Sequence, residues 1–446
     1  MPRITAALTL VALLLRAQGA DAHVFTEHRI GPSEDWCARI QYGVSDGDLV
    51  RLDPGDYVGT CVVARSGLPD EGEPLAITGA PGARIIAPPG RPALIVTGDL
   101  VRLAGLTLVG DRDAPTVEAR GRTLLVDGCT FAGGAIGLDA TAAPGALSLI
   151  GNTFEDTRQA VAFGCPKDGR PCDRTRAVLR DNLVRARAAS PGVAVDVAAG
   201  VEIVLEGNVV EGSWQTAARL DGLGRATMAL DGNVVVEGTS GQAAVGIALQ
   251  NAVGVVIRNN AILGTTRAAL SLSQANGDVI SNTLRTSAGV SVLTDGEAPT
   301  RSANAVQAPD VAASDVDCRL PGCWVDATDL RPSLTAPDGT PGRLAGRGPL
   351  LAVAGRDLCG RSRRGADFAG AFAAPDAPVM RLAPVSRGES GCFEAARVEE
   401  LLAERPAEEK RPGGGCGASP GGLTTMWPVL ALAAAVLARR LSRAAR

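Results

Sequence analysis

Histidine, lysine and aromatic residues are scarce in this chain of 446 residues. The two histidines, His23 and His28, both precede the part of the chain that repeats, which excludes a Ser-His-Asp or Cys-His catalytic group built within the repeats. Lysine occurs only at Lys167 and Lys410 and the net charge is −4, so no basic surface for nucleic acid is expected. Aromatic residues make up 3% of the chain, and valine, leucine, isoleucine and alanine must therefore fill the core.

A short phrase recurs along the chain, in which an apolar run and a small or polar residue lead to asparagine. It reads L-I-G-N-T-F at its first occurrence and V-I-S-N-T-L at its last. Related phrases place Leu106 and Cys129 in the same slot, and successive slots lie 22 to 30 residues apart. A period near 25 is typical of a solenoid in which each repeat forms one coil. The asparagines are Asn152, Asn182, Asn208, Asn233, Asn260 and Asn282.

Between these slots lie short alternating runs of valine, isoleucine, leucine and alanine, such as residues 193–197, 245–249 and 290–293. Alternation bounded by turn residues predicts strands. Because no helical pattern intervenes, the runs predict an all-β parallel β-helix whose coils stack about 4.8 Å apart. Asparagine tolerates the left-handed backbone angles of a turn, and its amide both donates and accepts. The slot therefore predicts a hydrogen-bonded ladder from coil to coil.

The chain resembles the right-handed parallel β-helix proteins of the pectate-lyase-like class. Residues 46–57, with their G-D and P-G-D-Y phrases, are similar to the opening coil of that class, and residues 329–332, 357–361 and 365–372 are similar to its closing coil. The resemblance implies a right-handed β-helix of roughly ten coils. It implies no particular activity, because the class contains lyases, hydrolases, adhesins and proteins without an enzymatic role.

The segments before and within the solenoid are assigned as follows. Residues 1–22 have the layout of a secretory signal peptide cleaved before His23, and residues 23–45 are expected to cap the first coil. Residues 33–41 predict a short capping helix with Ser33 as N-cap and with Trp36 and Ile40 on one face. Residues 46–308 are assigned to the coils and 309–404 to a closing coil and a disulfide-containing tail.

The C-terminal residues predict attachment to an envelope. Residues 405–420 form a linker with a sorting motif at Cys416, and residues 421–446 form an apolar membrane segment that ends in arginines. This arrangement resembles the MYXO-CTERM sorting signal, which implies cleavage near Cys416 and display at the outer surface. An uncleaved single-pass anchor is the alternative. The sequence therefore predicts an exported, monomeric solenoid at the cell envelope or cell surface.

Export predicts that most of the ten cysteines are oxidised. One coil separates Cys37 from Cys61, which predicts a bridge between rungs. A second bridge is expected within the insertion bounded by Cys165 and Cys172. Cys129 in the interior slot is expected to be buried and inert. The tail cysteines allow three pairings and are Cys318, Cys323, Cys359 and Cys392.

The best candidates for chemistry are the carboxylates Asp196 and Asp221. Alignment of the strands that follow the slots predicts that they stack on adjacent coils, roughly 5 Å apart, with Arg219 on the same face. Such a pair would hold Ca²⁺ or act as acid and base on a polysaccharide; the alternative is a solvated face that Arg219 neutralises. Enzymes of the pectate-lyase-like class use Asp-bound calcium and an Arg base. None of their specific catalytic motifs is present here, so no residue is carried over.

Binding without catalysis is the other hypothesis. Trp214 is expected in a loop, where it would stack on a sugar ring or else pack against its own loop. The function predicted is that of a non-enzymatic surface protein that presents a face to a glycan or a neighbouring cell. The alternative is a polysaccharide lyase or glycoside hydrolase at Asp196, Asp221 and Arg219. A groove around those residues would favour the enzyme, and a smooth face would favour the binding protein.

Overall fold

The structure, a computed structural model, describes residues 25–69, 72–142, 145–164, 176–186, 189–236, 241–318, 324–325 and 332–333. Over these residues the chain forms a parallel β-solenoid of about 11 turns with one short helix. The predicted β-helix is therefore confirmed. No helix in the described ranges is long and apolar enough to cross a membrane. The signal peptide, linker and apolar C-terminal segment predicted above lie outside those ranges, as do His23, Cys165, Cys172, Cys323, Cys359, Cys392 and Cys416.

Each coil contributes strands to three faces, and the strands are numbered in chain order. Face 1 ends at the slot and contains β1 (Glu27–Ile30), β2 (Leu49–Leu52), β5 (Leu75–Gly79), β8 (Val101–Ala104), β11 (Thr123–Asp127), β14 (Ala146–Ile150), β17 (Arg176–Arg180), β20 (Glu202–Glu206) and β29 (Thr300–Ser302). Face 3 contains β4 (Cys61–Val63), β7 (Leu94–Val96), β10 (Pro115–Ala119), β13 (Ile136–Asp139), β16 (Gln159–Phe163), β19 (Ser190–Ala198) and β28 (Val290–Asp295). Three long strands bend from face 3 into face 1: β22 (Trp214–Asp231), β24 (Val245–Arg258) and β26 (Ala268–Ile280).

Face 2 follows the slot and is a separate 12-stranded sheet. Its strands are β3 (Gly55–Val58), β6 (Ala83–Ile86), β9 (Thr107–Gly110), β12 (Thr130–Gly133), β15 (Thr153–Glu155), β18 (Leu183–Arg185), β21 (Val209–Glu211), β23 (Val234–Val236), β25 (Ala261–Thr265), β27 (Thr283–Thr286), β30 (Ala305–Gln307) and β31 (Val316–Asp317). The pairings along all three faces are parallel, whereas β32 (Trp324–Val325) and β33 (Pro332–Ser333) form an antiparallel pair.

The interior of the solenoid is filled by aliphatic side chains, as the composition requires. Alternation along each strand points every second residue inward, and stacking then forms columns of apolar residues from coil to coil. The few aromatic residues occupy such columns. Phe131 and Phe154 on face 2 are fully buried and stack with ring centroids 4.6 Å apart. Because the coils stack in register, equivalent inward residues of successive coils lie on top of one another in the core.

The slot asparagines form a continuous buried ladder. The side-chain oxygen of each one accepts the backbone N–H and the side-chain amide of the asparagine one coil earlier, at 2.8 to 3.1 Å. At one end, Asn152 accepts the N–H of Cys129. At the other, the ladder extends to Asn304 and ends at Asp315, whose carboxylate accepts the Asn304 amide at 2.7 Å. Sequence analysis did not include Asn304, although it follows Asn282 at the spacing of the repeat.

The left-handed residue of this turn is the one that precedes the slot, which corrects the expectation that asparagine itself adopts that conformation. In nine coils the residue before the slot has φ between 52° and 65°. Glycine carries no steric penalty there, and the other residue types are short. The nine are Gly105, Gly128, Gly151, Asp181, Gly207, Gly232, Asn259, Ser281 and Ala303. The slot thus requires a side-chain amide, whereas the position before it requires a residue that can adopt left-handed backbone angles.

The first coil is covered by helix α1 (Trp36–Tyr42), whose Trp36 and Ile40 are buried as predicted. Its N-cap is Asp35 rather than Ser33, because the Asp35 carboxylate accepts the N–H of Ala38. A disulfide between Cys37 and Cys61 joins α1 to β4, which confirms that predicted bridge. Cys318 is also disulfide-bonded.

The residues that precede α1 include the strand β1, which contains His28. This histidine lies in β1, which pairs in parallel with β2. Its Nε2 atom lies 2.9 Å from the buried carboxylate of Asp48, which also accepts the N–H groups of Thr26 and Ser45. The first coil is therefore extended by one strand toward the N-terminus.

Candidate functional site

The predicted stack of two carboxylates does not form. In the strand register, Arg219 lies directly over Asp196, and Asp221 lies over Ala198. The Arg219 guanidinium binds the Asp196 carboxylate through two hydrogen bonds, one of them from Nε to Oδ1 at 2.9 Å. This hydrogen bond raises the pKa of Arg219. Arg219 therefore occupies the position predicted for Asp221, and it forms an ion pair with Asp196 between neighbouring rungs.

Asp221 has its own partners two residues farther along β22. Its Oδ1 atom accepts the backbone N–H of Leu223 at 2.8 Å and the side-chain amide of Asn251 at 3.1 Å. Leu223 and Asn251 both have left-handed backbone angles, at the bend where the long strands pass from face 3 into face 1. Asp221 therefore holds this bend, in addition to presenting one half-buried carboxylate at the surface.

A row of polar side chains begins at Asp221 and continues along the solenoid. Register pairs place Gln250, Ser273 and Asp295 on the next three rungs. We call these four residues the polar row. Ser273 Oγ lies 3.4 Å from the carboxylate of Asp295. Successive rungs lie about 4.8 Å apart, so the row offers carboxylate, amide and hydroxyl groups at a regular spacing.

Small side chains lie beside the middle of the polar row. The neighbouring outward column of face 3 runs from Arg219 through Ala248 and Ser271 to Leu293. Alanine and serine project little beyond the backbone, so the row is reachable from the side of face 3. The corresponding column in earlier coils carries Glu118 and Asp139, which are partnered by Arg120 and by Thr141. Sequence analysis missed the row because Gln250 follows its slot by 17 residues, whereas the other three members follow theirs by 13.

Asp196 and Asp221 do not fit a calcium site. A cation needs carboxylate oxygens with free lone pairs directed at one point. Asp196 is already bound by the positively charged Arg219, and the Asp221 oxygen described above accepts two N–H groups. Over the residues that the structure describes, no group of three histidine, cysteine, aspartate or glutamate side chains is arranged to hold a metal. The two carboxylates are therefore assigned no role in binding calcium.

Trp214 cannot stack on a sugar ring, which corrects the sequence prediction. It begins β22 rather than lying in a loop, and its side chain belongs to the interior cluster with 2% of its surface exposed. The pocket that lies beside α1, lined by residues such as Asp35, Arg39 and Tyr42, contains none of the predicted site residues.

Face 1 carries a second charge pattern that sequence analysis missed. Arg176 and Arg180 pair with Glu202 and Glu206 on the next rung, at 2.6 and 2.9 Å. The signal is visible in the chain as R-A-V-L-R followed by E-I-V-L-E at the spacing of the repeat. These pairs are largely exposed and fix the relative register of two coils.

Known proteins give this chain distant structural likenesses and no family. No family model matches the chain, and no curated protein matches it. Among solved structures, pectate lyase Pel9A is similar with a TM-score of 0.40 and 14% identity, over 84% of this chain and 97% of that one. A mannuronic acid specific polysaccharide family 6 lyase from human gut microbiota has a TM-score of 0.32 and 13% identity, over 62% of this chain and 82% of that one. Neither likeness carries an argument about activity.

Proposed function

We propose that this chain is a non-enzymatic β-solenoid of the cell surface that binds a glycan through the polar row on face 3. The observation that carries the proposal is that the predicted catalytic carboxylates already have hydrogen-bond partners within the protein. A glycoside hydrolase needs two carboxyl groups that face one bond, one as acid and one as base or nucleophile. Here Asp196 is held by Arg219, and Asp221 is held by the strand bend.

A lyase mechanism with Arg219 as the base is disfavoured on the same grounds. A base must be able to lose its proton near neutral pH. The hydrogen bond to Asp196 raises the pKa of Arg219, an already high value, so the guanidinium remains a proton donor. Arg219 is therefore suited to orienting a ligand or a neighbouring carboxylate, and not to abstracting a proton.

The polar row has the chemistry that a glycan requires. Sugar hydroxyls donate and accept, and they are bound by carboxylates, amides and hydroxyls that do the same. Asp221, Gln250, Ser273 and Asp295 supply these groups on successive rungs of a rigid sheet. A polysaccharide that lies along the solenoid axis would meet one such group at each rung, so that many weak contacts add up along its length.

Placement at the cell surface rests on the ends of the chain. The N-terminal residues have the layout of a signal peptide, and the C-terminal residues resemble a sorting signal with an apolar segment. The disulfide between Cys37 and Cys61 supports export, because disulfides persist mainly in oxidising compartments. Attachment by either a cleaved or an uncleaved C-terminus would leave the solenoid outside the cell.

The test is retention of the intact chain on immobilised neutral and acidic polysaccharides. The variant Gln250→Ala/Ser273→Ala removes the two central groups of the row and should weaken retention at least tenfold. Thr227→Ala, an exposed hydroxyl deletion on face 1 in the same region, is the matched control and should have no effect. The same samples are assayed for new reducing ends and for the ultraviolet absorbance of unsaturated sugars. Product formation that is lost in Asp196→Asn would replace this proposal with the polysaccharide lyase or hydrolase.

A further inference from the structure

The outer surface of face 2 is buried in the last coils of the solenoid. Val234 and Val236 flank the inward-pointing Val235 in β23, so both point outward, yet 0% and 4% of their surfaces are exposed. The next three rungs, β25, β27 and β30, continue this burial. We call the following five residues the outer patch: Val234, Val236, Ala261, Leu263 and Ala305, all at most 4% exposed.

Packing inside the solenoid does not account for this burial. The inward column of face 2 includes Val210, Val235 and Ile262, and these residues belong to the single interior cluster. The members of the outer patch are buried outside that cluster. Something therefore covers the sheet from the other side.

The cover is confined to one end of face 2. In the early coils the same outward columns contain Asp56, Arg84 and Val58, all exposed, with Val58 exposed at 67%. The outward residues change from exposed in these early coils to buried at the patch, as expected where a sheet face passes from water to contact with protein. The amide side chain of Gln242 covers one border of the patch beside Gly264.

Two polar atoms at the borders of this surface also point to a covering segment. Arg185 Nη2 and Gln307 Oε1 lie in the same outward column as Val236 and are inaccessible to solvent, without a hydrogen-bond partner among the described residues. Buried donors and acceptors of this kind are normally satisfied by protein or ordered water. A peptide segment that crosses the outer patch would bring backbone groups to both.

We propose that the outer patch is the docking surface of the chain's own segment 319–392. The last described strand of the solenoid, β31, lies on face 2 itself, and Cys318 after it is buried, disulfide-bonded and hydrogen-bonded through its N–H to Val306. The chain thus leaves the coils beside the patch. The first compact unit of the protein extends to Cys392. The patch spans about four rungs, or roughly 20 Å, which about six extended residues cover.

This docking would divide the solenoid surface between two roles. Face 2 would be occupied by the chain itself in the C-terminal coils. The polar row lies on face 3 of those same coils and would remain accessible. The docking proposal stands without the glycan proposal, because it depends only on burial along face 2.

Photo-crosslinking of the intact chain tests the docking. A benzophenone amino acid replaces Val209, which is half-buried at the border of the patch, and a second sample carries it at Thr130, which is half-buried in the same column three rungs earlier. Equal amounts of isotopically light and heavy protein are mixed before irradiation. We expect position 209 to capture a peptide from 319–392 of the same chain, at least tenfold more than position 130 does. Light–heavy pairs, capture of any other segment, or no capture would overturn the proposal.

Limited trypsin digestion provides an independent readout. Leu263→Asp places a charge in the patch and should accelerate cleavage within 319–392 at least tenfold while the coils stay protected. Val109→Asp, at a half-buried position in the same column of an early coil, should leave that cleavage rate unchanged. Equal cleavage rates in the two folded variants would contradict the docking. The crosslink decides the question if Leu263→Asp fails to fold.

Discussion

The asparagine ladder makes a strong prediction for the variant Asn233→Ala. The Asn233 side chain takes part in four hydrogen bonds. Its oxygen accepts the N–H and the amide of Asn208, and its amide donates to the Leu205 carbonyl and to the Asn260 oxygen. All four groups lie in the interior, where water cannot replace the missing partner. The substitution therefore interrupts the ladder between two coils without removing an apolar contact.

The expected loss of unfolding free energy is about 2.5–7.5 kcal/mol. The N–H of Asn208 loses its acceptor while buried, which costs about 1–3 kcal/mol, and each of the other three lost bonds contributes about 0.5–1.5 kcal/mol. Asn208 keeps one amide bond to Leu179, and the Asn260 oxygen keeps the N–H of residue 233. The estimate is a large fraction of the total stability of an ordinary domain, which is about 5–15 kcal/mol.

Urea unfolding of the intact chain, followed by circular dichroism, measures this loss. With a slope of about 3 kcal/mol/M, the midpoint should fall by about 1–2.5 M. Because a solenoid is stabilised by contacts between neighbouring coils, unfolding need not be two-state, and hydrogen exchange provides a local readout. The Asn208 N–H should exchange more than tenfold faster. The control Asn276→Ala removes an exposed amide that is bonded to Glu297. An equal midpoint shift in the two variants would refute the reasoning.

Three further predictions follow from the charges and the thiol. Burial raises the pKa of Cys129 to about 12, so iodoacetamide at pH 8 should label it only after unfolding, as mass spectrometry would record. Burial alone would raise the pKa of Asp310, but the N–H groups of Ser291 and Val292 outweigh it and lower the pKa. The stabilisation that ionised Asp310 provides should therefore be present above about pH 4 and be lost as the pH falls through its lowered pKa in the folded state. In thermal melts between about pH 5 and 2, Asp310→Asn should reduce the loss of stability on acidification. Arg219→Ala should cost at most about 1 kcal/mol in urea unfolding, because the pair with Asp196 is partly exposed; a larger loss would contradict that.

The period of the slot was sufficient to predict the fold. Every coil of a solenoid repeats the same local structure, so residues that stack in one column recur at a fixed period in the sequence. The fold can be recognised from that period without predicting contacts between distant parts of the chain. The six asparagines, the strands between them and the Cys37–Cys61 bridge all follow from that signal. The backbone turn was assigned to the wrong residue because glycine precedes the slot in only five of the nine coils. The other four coils place Asp181, Asn259, Ser281 or Ala303 there.

The site was predicted less well because the connection from face 2 to face 3 varies in length. Ala162, Asp196, Arg219 and Ala248 share one outward column, yet they follow their slots by 10, 14, 11 and 15 residues. A register shift between Ser190 and Val193 absorbs part of the difference. Alignment by distance from the slot therefore moved Asp221 into the position that Arg219 holds. Periodicity locates strands, whereas register depends on bulges that a single sequence does not reveal.

The same stacking rule explains why asparagine repeats in the slot from coil to coil. In a parallel solenoid each side chain lies over its equivalent one rung away. An amide donates to its own copy and accepts from it, whereas a charge repels its copy. Some outward columns accordingly pair opposite charges on neighbouring rungs, as Arg102 does with Asp127 and Asp231 with Arg258. Where two acids stack, as Glu206 does with Asp231, each pairs with an arginine.

The end of the ladder obeys this rule as well. A carboxylate accepts but cannot donate, so Asp315 closes the ladder instead of extending it. Its charge is balanced by Arg301, which lies at 2.7 Å from its second oxygen. A neutral side chain at 315 would leave Arg301 without that partner in a site where both side chains are nearly inaccessible. The identity of the last residue is therefore fixed by the guanidinium beside it as much as by the ladder it terminates.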